Sequence, residues 1–353
     1  MAWRMDGLGM RRIWAQISGA CIFVVLMTIA PLAAMDLNGY AKLGLERLQG
    51  HTSYEIGGLI AVSGEENRSA HFPFSKLEFP LTGYMGTTAF GLNVGEVLRV
   101  DLGLKKSILR EEATIEDWDW GYWHLADHPW ARSSTLDIYS TSRSSVDAWM
   151  GDAKVRWCFN LTDRSRPQDR TEVRLMVGGG YSIQVFDYDM VDDLDQWYPS
   201  YPQYADAIEN DPTISPALKQ TIKGHVYNSG NVLSYHVEYE VPFLEGGVQL
   251  GLGERLDVEA CLGYSFWVKA KDTDHHLLRG KVSKGDCGGT AVLFTLNGDY
   301  AVTDRIVLGL NYRRIVITAT GIQDQSAANY SASVDQHIES DQQSFGVSLG
   351  FCF

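Results

Sequence analysis

The sequence predicts an all-β protein: a ten-stranded antiparallel transmembrane β-barrel with long extracellular loops. Three observations lead to this. Apolar residues alternate with small or polar ones in runs of about 9–12 residues, the length a tilted membrane strand requires. Aromatic side chains gather at the ends of those runs, as interfacial girdles do. The last run, "SFGVSLGFCF", ends on Phe353, an aromatic terminus of the kind found on bacterial outer-membrane barrels. A soluble β-sandwich alternates too, but it has no need of runs this long.

From the N-terminus onward, residues 1–34 read as a signal peptide. Arg11 and Arg12 supply a basic start, and the apolar run "ISGACIFVVLMTIAPLAA" leads to a cleavage point near Ala33 or Ala34. The apolar core of that run falls short of the ~20 residues that a spanning helix needs. Residues 35–353 then form the barrel. Its strands are centred on 40–56, 75–90, 95–108, 142–160, 171–190, 228–244, 247–270, 288–301, 304–320 and 343–353. An even, antiparallel set is what closure demands, because an open edge in lipid leaves backbone groups without partners. The connections expected outside are 57–74, 109–141, 191–227, 271–287 and 321–342, whereas return turns such as "FLEGG" and "NGDYAVTD" are short. The clearest alternation is "LDVEACLGYSFWVKA", in which Leu256, Val258, Ala260, Leu262, Tyr264, Phe266 and Val268 form the apolar face.

Charge and motif content exclude other classes. Thirty Lys and Arg against 44 Asp and Glu give a net charge of −14, so the chain lacks the clustered cations that nucleic-acid phosphates require. No phosphate-cradling glycine loop stands at a strand–helix junction. Cys158, Cys261, Cys287 and Cys352 fit no disulfide scaffold or zinc spacing and read as structural.

Two outer segments concentrate titratable chemistry. In "EDWDW", Asp117 and Asp119 stand at i and i+2. In an extended chain they share a face, about 7 Å apart, where each raises the other's proton affinity. In "KDTDHH", Asp274 and His276 are again i and i+2, and a carboxylate beside an imidazole fixes its tautomer and supports its charged form. Such a dyad facing an aspartate pair can hold a water between them and activate it. A divalent-cation site built from Asp272, Asp274, His275 and His276 is the rival interpretation of the same residues.

The order of these segments resembles the omptins, a family of ten-stranded outer-membrane endopeptidases. "LQGHTSYE" in the first strand, "SKLEF" opening the second, "DWDW" further on and "WVKAKDTDHH" after the seventh strand match along nearly the whole mature chain. The resemblance implies that Asp117, Asp119, Asp274 and His276 are catalytic. His276 would deprotonate a water, Asp274 would orient the imidazole, and the aspartate pair would position the water and stabilise the oxyanion. Asp272 matches an acidic wall of the pocket for a basic side chain before the scissile bond. The family's second acidic pocket residue aligns with Tyr54, with Glu55 one place away as the candidate substitute. Where omptins grip lipopolysaccharide with basic residues, Val185 and Glu238 stand here.

The expectation is therefore an outer-membrane endopeptidase acting on peptide or protein substrates, with basic residues the implied preference. It needs no cofactor or metal, sits in outer-membrane lipid with lipopolysaccharide as a further partner, and functions as a monomer. A non-catalytic surface barrel, an adhesin or structural protein, is the alternative, and a small porin the third. One parity conflict is visible. Residues 272, 274 and 276 continue the even, lipid-facing phase of 256–268, so a bulge near Lys269–Lys271 or a rise above the membrane is needed to bring them inward.

Overall fold

The computed structural model describes residues 37–62, 68–122, 128, 130–162, 171–228, 230–328 and 330–353; the segment 1–34, expected to be a signal peptide, and Asp127 lie outside them. In chain order the strands are β1 (Leu37–Val62), β2 (Arg68–Ser69), β3 (Ser75–Val94), β4 (Leu98–Arg110), β5 (Glu112–Trp120), β6 (Leu136–Asn160), β7 (Thr171–Trp197), β8 (Val226–Asn228), β9 (Leu233–Leu252), β10 (Leu256–His276), β11 (Lys281–Ala301), β12 (Ile306–Ala327) and β13 (Tyr330–Cys352). Two short helices, α1 (Tyr201–Asn210) and α2 (Pro216–Ile222), lie between β7 and β8. β4 and β5 act as one wall strand, since both pair with β3 and β6. Every wall strand is antiparallel to its neighbours, and β1 pairs with both β3 and β13. Ten strands therefore close into a ring with no open edge, as lipid requires.

These strands are longer than the sequence runs suggested. β1 has 26 residues and β7 has 27, where about 9–11 suffice to cross a membrane. The alternating apolar belt occupies one half of their length. Leu43, Leu45, Phe90, Leu92, Leu262, Val292, Leu308 and Leu349 are among its exposed outward side chains. Beyond the belt the wall continues as paired strand. For this reason two expected outer loops are not loops: 271–287 is mostly β10 and β11 around a four-residue turn, and 321–342 is mostly β12 and β13. "FLEGG" likewise lies inside β9, and the return turn falls at Gly253–Arg255. The longer outer connections run from β5 to β6 and through the two helices.

The lumen is filled at two levels. In the membrane half, Arg156 donates to Glu259 at 2.6 Å and to Asp101, Arg99 reaches Asp101 at 2.9 Å and Glu259 at 3.0 Å, and Lys105 reaches Glu46 at 2.6 Å. Arg313 clasps Asp152 at 2.5 and 2.8 Å. Charges buried in such a space need partners on every side. Above this network lies an aromatic layer of Tyr54, Phe79, Tyr188 and Tyr235, with Phe79 and Tyr235 stacked at 4.2 Å. The site sits on that layer. Cys158, Cys261, Cys287 and Cys352 are unbridged, and the first three are buried.

Candidate active site

β10 settles the parity conflict. Its inward residues run Glu259, Cys261, Gly263, Ser265 and then Val268, Ala270, Asp272, Asp274, because Phe266 and Trp267 both face outward. The pairing shifts across the same step, between Ser265 and Val268 against β11 and between Tyr264 and Lys269 against β9. A bulge of this kind inverts the phase of everything beyond it. It lies a few residues earlier than the sequence suggested, and Val268, expected in lipid, is buried in the core.

With the phase inverted, Asp272 and Asp274 are buried inside the barrel, at 3% and 0% exposure. His276 donates from Nε2 to Asp274 Oδ2 at 2.8 Å. An ionised carboxylate only accepts, so Nε2 carries the hydrogen and Nδ1 the lone pair. His275 alternates to the opposite side, so the four donors of "KDTDHH" do not converge on one point. The turn after His276 closes at Gly280, whose φ of +59° is a left-handed conformation that glycine adopts without strain.

Asp117 and Asp119 reach the site from β5, which is held in register by Leu77 and Ser75 of β3 and by Ser140 and Ile138 of β6. Both line a cavity of about 290 Å³ together with His276, Arg279, Tyr122, Ser140 and Gln196. An apolar wall of Leu77, Ile115, Met190, Leu194, Val232 and Leu233 completes it. The two predicted elements therefore open onto one water-accessible space at the outer rim.

Electrostatics divides the carboxylates. Burial raises the proton affinity of Asp117 far above the ordinary carboxylate range, and the neighbouring Asp119 adds to it. Asp119 is raised by burial too, against a hydrogen bond from Ser75 and the charges of Arg279 and Lys281. For Asp274 burial pushes the same way, but the His276 charge and hydrogen bonds from His276 and Tyr54 outweigh it and hold the group below its usual value. One member of the Asp117–Asp119 pair thus keeps a proton near neutrality while Asp274 stays ionised. Asp117 Oδ1 and Asp274 Oδ1 are buried with no hydrogen-bond partner among the described residues.

The expected pocket residues fall differently. Asp272 accepts a hydrogen bond from Gln336 Nε2 at 2.8 Å, and burial pushes its carboxyl up to about 6. Its Oδ1 lies where only the absence of a side chain at Gly285 leaves room: a Cβ there would sit 2.0 Å away. Glu55 is not brought to the site. It shares the face of Leu43 and Leu45, outside the wall, while Tyr54 points inward and donates to Asp274 Oδ2 at 2.6 Å. Val185 and Glu238 are cross-strand partners on β7 and β9. Sequence reasoning missed Ser75, Gln336, Arg279 and Lys281, and saw Tyr54 only as a departure from a motif.

No protein-family model matches the chain, and no curated protein sequence matches it. Among solved structures, it is similar to the outer-membrane protease OmpT from Escherichia coli, with a TM-score of 0.66 and 14% identity over 91% of this chain and 100% of that one. The fold is that of an outer-membrane β-barrel. The translocator domain of the autotransporter NalP from Neisseria meningitidis (TM-score 0.32, 12% identity, 96% of this chain and 95% of that one) and OprG from Pseudomonas aeruginosa (0.33, 7%, 90% and 97%) also align. Their shapes are too distant to bear on this site.

Proposed function

We propose that the protein is an outer-membrane endopeptidase of the omptin type, hydrolysing peptide bonds with a water activated between an Asp–His dyad and an aspartate pair. The observation that carries this is the 2.8 Å Asp274–His276 contact opening onto the same cavity as Asp117 and Asp119. In the proposed cycle Nδ1 of His276 takes a proton from water as the oxygen attacks the peptide carbonyl. The aspartate pair, sharing one proton, hydrogen-bonds the developing oxyanion. The imidazolium, steadied by Asp274, then returns its proton to the leaving amine. OmpT, described as an outer-membrane protease, supports the reading through shared fold only. The basic-residue preference has weaker support, because Glu55 stands outside the wall and the Asp272 carboxyl is already engaged by Gln336.

A binding barrel without catalysis is the second reading. It is favoured by Arg279 and Lys281, whose charges act on both aspartates and oppose the rise that burial imposes on them. Purified barrel in detergent, with and without lipopolysaccharide, should cut fluorogenic peptides, with and without dibasic pairs. Asp274→Ala and His276→Ala should each reduce that rate at least ~100-fold, the scale of general-base catalysis, while leaving barrel assembly intact. Cleavage at the wild-type rate in both variants would sink the assignment.

A further inference from the structure

The dyad has a third member. Tyr54 on β1 and His276 on β10 hydrogen-bond the same carboxylate oxygen, Asp274 Oδ2, at 2.6 and 2.8 Å. Tyr54 is 2% exposed, and its ring packs against the stacked Phe79–Tyr235 pair at centroid distances of 6.1 and 5.5 Å. The hydroxyl is therefore a donor fixed in position by the aromatic layer below the site. Burial and the Asp274 charge hold its own proton well above the usual phenol range, so it donates across the whole working pH range.

Resting on the function proposed above, we infer that Tyr54 is a positioning residue: by drawing charge from the oxygen that also holds His276, it sets how tightly that imidazole keeps its proton. An unshared carboxylate at this distance stabilises the imidazolium fully, and the base is then blocked to a higher pH. A carboxylate that already accepts from a neutral hydroxyl stabilises it less, and frees the base at lower pH. The other charged groups facing the pair are Asp117 and Asp119 on β5, Asp272 on β10, Lys281 on β11 and Arg279 in the turn. Tyr54→Phe leaves each of them in place, along with the ring that packs the layer.

The test is the imidazole titration of His276 followed by NMR in the detergent-solubilised full barrel, its signal assigned by loss in His276→Gln. In Tyr54→Phe the midpoint should rise by about half a pH unit or more, and the acid limb of any peptidase profile should move with it. Tyr188→Phe removes another buried hydroxyl of the same aromatic layer, one without a hydrogen-bond partner among the described residues, and should leave the midpoint where it is. An unchanged or lowered midpoint in Tyr54→Phe overturns the inference, and so does an equal rise in Tyr188→Phe. If the wild-type barrel cuts no peptide, the proposed function falls, and the titration still decides the role of Tyr54.

Discussion

Asp272 carries the clearest residue-scale consequence. Its carboxyl is 3% exposed, and burial lifts its proton affinity to about 6, with the Asp274 charge adding to it. The folded barrel therefore holds this proton more tightly than the unfolded chain does. Its contribution to stability is complete below the ordinary carboxylate value and is lost as pH climbs through about 6. A difference of about two pH units corresponds to about 3 kcal/mol lost by pH 8. Asp272→Asn keeps an acceptor for Gln336 and has no charge to bury. It should raise the urea midpoint of the barrel at pH 8 and leave it nearly unchanged at pH 4. Residues were also where the sequence was most informative and least complete. Asp117, Asp119, Asp274 and His276 stood out because two carboxylates, or a carboxylate and an imidazole, at i and i+2 share a strand face. Tyr54 did not, since its partner lies 220 positions away and an isolated tyrosine carries no local pattern. Glu55 illustrates the cost of a single step along a strand: one residue moves the side chain through the wall.

At the scale of elements, the bulge in β10 decides whether the site exists. Alternation in "LGYSFWVKA" is broken by two adjacent bulky aromatics, Phe266 and Trp267, and a tryptophan is hard to fit among inward neighbours as small as Cys261, Gly263 and Ser265. That mismatch was legible and would have located the bulge. Deleting Lys269, just beyond the bulge, should cancel its phase shift and turn Asp272, Asp274 and His276 outward. The expected result is cleavage at background and a reversal of labelling at Lys271→Cys. This exposed position should react with a bulky impermeant maleimide in the otherwise wild-type barrel and be protected after the deletion. Equal labelling and retained activity would mean that the hairpin to β11, not the bulge, sets the phase. The outer helices were not anticipated, because α2 has only seven residues, too few to display a helical period. A start signal was present even so. Ser215 caps the helix by accepting from the Leu218 amide, with Pro216 at its first position.

For the whole molecule, closure and strand count followed from alternation, but the height of the wall did not. Strands that continue above the membrane exchange an apolar outer face for a mixed one, so the period-2 signal fades while the pairing persists. The filled lumen was equally hard to read, because ion pairs such as Arg156–Glu259 join residues 103 positions apart. Arg156 is 2% exposed and touches both Asp101 and Glu259. Arg156→Ala strands buried carboxylates and should cost about 3–5 kcal/mol. That would appear as a lower temperature for the electrophoretic-mobility transition of the folded barrel, with Arg156→Lys recovering part of the loss. A variant as stable as wild type would mean that Arg99 alone satisfies both acids.

The two fillings of the lumen make the site a well with a floor rather than a passage with two doors. A polypeptide cannot be threaded through it, and whatever leaves must depart by the rim it crossed on arrival. Only a segment able to lie across that rim, an exposed loop or a loose chain end, can dip a bond to the depth of His276. In the proposed peptidase, the shape of the vessel would thus sort polypeptides by how far they protrude before any side-chain chemistry is consulted.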